Sequence, residues 1–205
     1  MPRNQPPSDL PEPTPAGYAV LMVRDNLAYL PDWRFPSGYG MRPIQPGEEG
    51  VWTDIQRDAE PFFPPEDSLF AKEFGFDPEN AYARVFLVTD SKDKGVGTMG
   101  AWYDHDFEGD DSGRIHWVAT RQDHQGKGLA KASLAGALRV LAQHHRKAYL
   151  ATQTKRLPAI AIYLDAGFRP HIRSEQDRTA WTETASTMRK PEHGQAILKT
   201  VEASR

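Results

Sequence analysis

The chain has no cysteine in 205 residues, which excludes disulfides, thiolate metal sites and a cysteine nucleophile. Charge of one sign is also lacking: 25 basic and 28 acidic residues leave a formal net charge of −3, and the pI is near 6.2. No general electrostatic attraction for nucleic acid or an anionic membrane follows from that balance. No apolar run approaches the ~20 residues needed to span a bilayer, and the opening MPRNQPPSDL has no apolar centre of the kind a secretory signal needs. Together these absences give the expectation of a cytoplasmic protein with no nucleic-acid or membrane partner. A chain of this length can bury one sizeable core, so one domain with extensions is expected.

What is present is concentrated between Ile115 and Ala130, IHWVATRQDHQGKGLA. An apolar, strand-like run passes through a polar turn into Gly126-Lys127-Gly128, and an amphipathic helical pattern follows. The first N–H groups of a helix have no intrahelical partner and carry the positive end of its dipole, so they stabilise an anion. Glycines at that corner let phosphate oxygens approach the main chain. The spacing does not suit a P-loop, because Gly128 is followed by Leu129 and no glycine precedes Gly126 at the required interval. Nor does it suit a dinucleotide fingerprint, since Lys131 stands where the third glycine belongs.

A second signal lies downstream in Ala159-Ile-Ala-Ile-Tyr163-Leu-Asp-Ala-Gly167-Phe168. The two segments together resemble the two acetyl-CoA-binding motifs of the GCN5-related N-acetyltransferase (GNAT) superfamily. Gln125, Gly128 and Ala130 match the first motif; Tyr163, Gly167 and Phe168 match the second. The resemblance covers roughly Tyr39 to Phe168. It implies an α/β, GNAT-like acyl-CoA N-acyltransferase fold, with a mixed central sheet flanked by helices. The implied reaction transfers acetyl from acetyl-CoA, as cosubstrate, to a primary amine by direct attack in a ternary complex. Two rival readings are a non-catalytic CoA-binding regulatory module and an interaction protein acting through its N-terminal arm.

The rest of the chain divides around this domain. Residues 1–38 read as an arm: six prolines fall in the first 16 residues, and Tyr18 to Arg24 reads as an added strand. The domain is expected over 39–188 and a polar tail over 189–205. Within it, Tyr39 to Ile44 reads as a strand and Gly47 to Ala59 as a helix burying Val51, Trp52 and Ile55, stopped by Pro61. A short helix is expected over Glu66 to Phe74, then strands over Ala83 to Thr89, Val96 to Tyr103 and Arg114 to Ala119. Asp104 to Asp111 reads as a solvated acidic loop. The helix after Gly128 is expected to end on His144, His145, Arg146 and Lys147, whose charges suit the negative end of its dipole. Ala148 to Thr152 reads as a strand, with a helix from Pro158 to Ala166 that Gly167 terminates in a left-handed conformation. Weaker strands are expected over Arg169 to Arg173 and Thr179 to Thr184. No metal site is expected.

The resemblance also assigns roles. The cofactor contacts fall on Val118, Ala119, Thr120, Gln125, Gly126, Lys127, Gly128, Leu129 and Ala130, with a backbone N–H near Val118 as donor to the thioester oxygen. Tyr163 matches the tyrosine near the CoA sulfur, and a phenol of pKa ~10 can protonate a leaving thiolate at neutral pH. His116 is the expected general base; serotonin-type arylalkylamine acetyltransferases have a histidine at a similar strand position. Strand alternation is expected to point His116 and Val118 to one face. Arg156 departs from the asparagine that contacts the cofactor in many relatives. Phe62, Phe63 and Phe70 are expected beside the acceptor or in the core, and a homodimer is plausible by analogy.

Overall fold

The computed structural model describes residues 14–60, 62 and 65–204. The expectations on Pro61, Phe63 and most of the proline-rich arm lie outside the described residues. In chain order the elements are β1 (Ala19–Arg24), β2 (Gly40–Pro43), α1 (Glu49–Ala59), α2 (Leu69–Phe74), α3 (Pro78–Arg84), β3 (Val85–Thr89), β4 (Gly95–Phe107), β5 (Asp110–Thr120), α4 (Leu129–Leu141), β6 (Ala148–Gln153), α5 (Leu157–Asp165), β7 (Arg169–His171), α6 (Glu175–Thr187) and α7 (Pro191–Ala203). The seven strands form a mixed sheet in the order β2-β3-β4-β5-β6-β1-β7, flanked by helices, as expected of the α/β class. Contact density separates two compact units, and β4 and β5 run through both.

The first unit, residues 29–103 and 113–144, contains β2, β3, most of β4 and β5, and α1 to α4. Its core is aromatic. Trp52 of α1 meets Phe70, Phe74 and Trp117 edge-on at centroid distances of 5.4, 5.7 and 5.6 Å, and Phe74 meets Trp102 at 5.0 Å. Such rings contribute both their buried area and about 0.5–1.5 kcal/mol per pair from geometry. Trp52 and Ile55 are buried as expected, but Val51 turns outward and the polar Gln56 turns in. Every residue of β3, VFLVT, is buried. Helix α3 was not expected from the sequence. Asp77 caps it by accepting from the Asn80 N–H, and Pro78 occupies its first turn, so Ala83 and Arg84 complete a helix and β3 begins only at Val85.

The second unit, residues 14–28, 104–112 and 145–204 of those described, contains β1, β6, β7, the tip of the β4–β5 hairpin and α5 to α7. Strand β1 pairs antiparallel with β6 from Ala19↔Gln153 to Arg24↔Ala148, and on its other side with β7 from Leu21↔His171 to Val23↔Arg169. The acidic stretch is a ladder and not a loop. Only Glu108 and Gly109 turn, with φ of 54° and 83°, as a two-residue hairpin of the primed kind requires. Its charges are anchored within the unit: Asp111 lies 2.6 Å from His105 Nδ1 and 2.7 Å from His145 Nδ1, and Tyr149 donates to Asp104 at 2.9 Å. His145 thus serves the hairpin; α4 ends at Leu141, so the basic tetrad does not cap its last turn.

Two further expectations fail in this unit. Thr179 to Thr184 is helical within α6, which Ser174 starts by accepting from the Asp177 N–H. Ala180, Trp181, Thr184 and Ala185 then bury one helical stripe. Residues after Met188 include α7, which packs against α6 and buries Ile197 and Val201. Among the described residues no helix is long and apolar enough to cross a membrane.

Candidate active site

Strand β5 delivers the chain to the anion cradle. After Thr120 a short turn is tied down at several points: Arg121 donates its N–H to Val96 O at 2.9 Å, Gln122 N donates to Asp58 Oδ2 at 2.8 Å, and Gln125 Nε2 donates to Thr120 O at 3.1 Å. Gly126 and Gly128 follow with φ of +74° and +81°. An L-residue pays about 1–2 kcal/mol there, which is why the corner is glycine. Gly128 is the N-cap of α4, whose first turn contains no acidic side chain. A Cβ built on either glycine would meet nothing within 4 Å, so space lies directly over the bare main chain. Open space, free helix N–H groups and no competing carboxylate together fit a pyrophosphate. Lys127 and Lys131 add positive charge nearby; Lys127 Nζ is held by Asp123 O at 2.9 Å and Lys131 lies 5.0 Å from the centre of the Trp33 ring.

Just before the cradle, β5 is bent. Trp117 has φ +48°, a left-handed backbone for a bulky residue, which costs on the order of 1–3 kcal/mol and persists only where its surroundings enforce it. They do. Its carbonyl accepts from Thr98 Oγ1 at 2.8 Å and from Gln56 Nε2 at 3.0 Å, and Gln56 also donates to Thr98 Oγ1 at 2.7 Å. Its indole N–H donates to Glu73 Oε2 at 2.8 Å. Two glycines of β4 make room: a Cβ on Gly100 would stand 2.7 Å from His116 O, and one on Gly97 2.9 Å from Ala119 O. The bend interrupts strand alternation, so the neighbours His116 and Trp117 both reach Glu73.

His116 Nε2 lies 3.0 Å from Glu73 Oε2, and Phe74 packs edge-on to the imidazole at 5.7 Å. Burial pushes the imidazole down to about 4, with Glu73 opposing and Arg114 reinforcing the shift, so the ring is neutral near pH 7. Burial acts to raise the Glu73 carboxyl, but the hydrogen bonds from His116 and Trp117 prevail and hold it below the usual range. Nearby, burial and the bond to Asp77 push the Tyr103 phenol up to about 12. Trp102 and Phe70 are core residues, whereas Trp117 and Tyr103 are only half-buried.

Val118, Ala119, Thr120, His116 and the segment from Gln125 to Ala130 all belong to the first unit. Tyr163 belongs to the second, on α5. The motif around it is a helix terminator: the Gly167 N–H donates to Leu164 O at 2.9 Å and the Phe168 N–H to Tyr163 O at 3.0 Å, with Gly167 left-handed at φ +82°. This is a Schellman arrangement, and the Tyr163–Phe168 ring contact at 6.1 Å is its usual apolar clasp. Burial pushes the Tyr163 phenol up to about 12, partly offset by Arg156, so it holds its proton at neutral pH. Among the described residues no group of three or more His, Asp or Glu side chains is placed to hold a metal ion.

An α/β sheet whose bent strand runs into a glycine corner and a helix N-terminus is the architecture of the GNAT fold. The chain belongs to the acetyltransferase (GNAT) family, whose model matches residues 51–168, more than half its length. Similar folds include a GCN5-related N-acetyltransferase from Sphaerobacter thermophilus, with 22% identity, a TM-score of 0.59, and coverage of 75% of this chain and 48% of that one. A protein described as an acetyltransferase from Novosphingobium aromaticivorans has 17% identity and a TM-score of 0.54, over 75% of this chain and 59% of that one. A structure of the NatC complex bound to Gag peptide and CoA has 17% identity and a TM-score of 0.51, over 62% of this chain and 82% of that one. The chain thus spans about half the length of the first of these. No curated protein matches it.

Sequence reasoning missed Glu73, Gln56 and Thr98. The one available signal was Gln56, a polar residue beside Ile55 in the amphipathic pattern of α1.

Proposed function

We propose that the protein transfers acetyl from acetyl-CoA to a primary amine, the amine attacking directly while both substrates are bound. The observation that carries this reading is the pair of left-handed glycines opening α4 onto free space at the end of β5. Gly126 to Ala130 offer main-chain N–H groups to the pyrophosphate, while Gln125 braces the corner against Thr120. Val118 to Thr120 present backbone to the pantetheine arm, and the Val118 N–H donates to the developing oxyanion. Bound acetyl-CoA supplies the activated acetyl group as a thioester. His116 takes a proton from the incoming ammonium, and Tyr163, protonated at neutral pH, returns one to the departing thiolate.

The test is calorimetric titration of the folded protein with acetyl-CoA, ATP and NAD, followed by turnover against an amine library. Selective binding of acetyl-CoA and release of CoA with one or more amines are expected. Gly128→Glu, which puts bulk, backbone strain and negative charge at the phosphates, is expected to weaken acetyl-CoA binding at least tenfold. Folded protein that ignores acetyl-CoA, or a Gly128 variant of unchanged affinity, overturns the assignment.

A further inference from the structure

One oxygen, Glu73 Oε2, receives two neighbouring side chains of β5: Trp117 Nε1 at 2.8 Å and His116 Nε2 at 3.0 Å. An indole nitrogen can only donate, so Oε2 acts there as an acceptor, as an ionised carboxylate does. A neutral imidazole has one donor nitrogen and one acceptor nitrogen. If the ring faces a carboxylate through Nε2, its proton sits on Nε2 and its lone pair on Nδ1. Among the described residues Nδ1 has no hydrogen-bond partner. Phe74 and Trp117 pack against the ring at 5.7 and 5.8 Å and limit its rotation.

We propose that Glu73 is a positioning residue for acetyl transfer: it fixes His116 with the proton on Nε2, so that Nδ1 is the atom that accepts a proton from the substrate ammonium. This rests on the reading of the domain as an amine acetyltransferase with His116 as its base. In the step, an N–H bond of the ammonium breaks and an Nδ1–H bond forms. The electron pair stays on the amine nitrogen, which then attacks the thioester carbon, and the imidazolium later gives its proton to solvent. The transient imidazolium is formed beside the Glu73 carboxylate, which favours it, while Arg114 on the same strand opposes it. Because Trp117 donates to the same oxygen, Glu73 links the strained bend in β5 to the orientation of the base. The acceptor class that suits the arrangement is a protonated primary amine, which meets an anionic and aromatic surround in the partly exposed Glu73 and Trp117.

The experiment is NMR of the full chain labelled with ¹⁵N-histidine, read in wild type and in Glu73→Gln. Glutamine keeps one acceptor oxygen for both donors, removes the charge and replaces the second oxygen with an NH2 group. In wild type His116 is expected as the Nε2–H tautomer at pH 7, titrating near 4. In E73Q the tautomer is expected to persist while the titration moves to still lower pH. The turnover kcat is expected to fall about tenfold or more, with the affinity for acetyl-CoA within about twofold of wild type. An Nδ1–H tautomer in wild type, a His116 titration unmoved in E73Q, or an unchanged kcat overturns the proposal. If no amine is turned over, the acetyltransferase reading fails by itself, and the tautomer and its response to E73Q still decide what Glu73 does to His116.

Discussion

Thr98→Val isolates the support beneath the bend in β5. Thr98 is fully buried; its hydroxyl accepts from Gln56 Nε2 at 2.7 Å and donates to Trp117 O at 2.8 Å. Valine keeps the shape and favours strands, so propensity alone predicts stabilisation. The hydrogen-bond network predicts the reverse. One Gln56 N–H loses its acceptor inside the core, at a cost of about 1–3 kcal/mol. Trp117 O retains only its 3.0 Å bond to Gln56. Thr98→Ser is the control, since it keeps the hydroxyl and forfeits a methyl worth roughly 0.8 kcal/mol. For a chain of this size each kcal/mol moves Tm by about 2–4 °C. Differential scanning calorimetry should therefore place the serine variant roughly 2–3 °C below wild type and the valine variant roughly 2–12 °C below it, centred near 6 °C. Amine turnover should fall further in the valine variant, because the bend places His116. A valine variant as stable as wild type, or more stable than the serine variant, refutes the claim that the network holds the strained backbone.

Three other outcomes are expected. Because burial lowers the His116 pKa from its ordinary 6.5 to about 4, the unfolded chain binds that proton more readily over this window. His116 therefore contributes stability fully above pH 6.5 and loses it as pH falls toward 4, at most about 3 kcal/mol. Urea unfolding of His116→Gln should show a shallower decline across that window, and an identical slope counts against the buried neutral ring. Tyr163→Phe should lower kcat by about 10²-fold or more while acetyl-CoA affinity, read by calorimetry, stays within about twofold; unchanged turnover removes the phenol from the chemistry. Gly167→Ala forces a Cβ into a φ of +82° and to 3.1 Å from Arg24 Nη1, so a loss of about 1–2 kcal/mol is expected by chemical denaturation.

How much of this was legible in the sequence depends on how locally each feature is encoded. The cradle was readable because Gly126 and Gly128 are needed for their own backbone angles and the apolar period of α4 begins beside them. The end of α5 was readable because a single hexapeptide, Tyr163 to Phe168, contains both the left-handed glycine and the rings that clasp it. The bend at Trp117 was not, because no glycine marks it; it is imposed by Gln56, Glu73 and Thr98, which lie 19 to 61 positions away. Helix α6 was misread because Thr179-Ala-Trp-Thr has β-forming residues, while the Ser174 to Asp177 cap that starts it is a polar signal a few residues upstream. Likewise Asp77-Pro78 announces α3, but the apolar residues that follow lead the eye to a strand. The slot that β1 fills in the sheet is a property of topology, with no local trace.

That slot sets an order of events during synthesis. More than a hundred residues separate Arg24 from its partner Ala148, so β1 emerges from the ribosome well before either neighbour exists. At about 5–20 residues per second, its five buried positions and its unpaired main-chain groups wait roughly 6–25 s. Until it docks, β6 and β7 in turn have no common neighbour, and both offer open edges to any passing strand. The cell therefore handles a nascent chain in which an apolar, strand-forming hexapeptide is made early and satisfied late, and loss of those residues would leave two raw sheet edges in an otherwise finished protein.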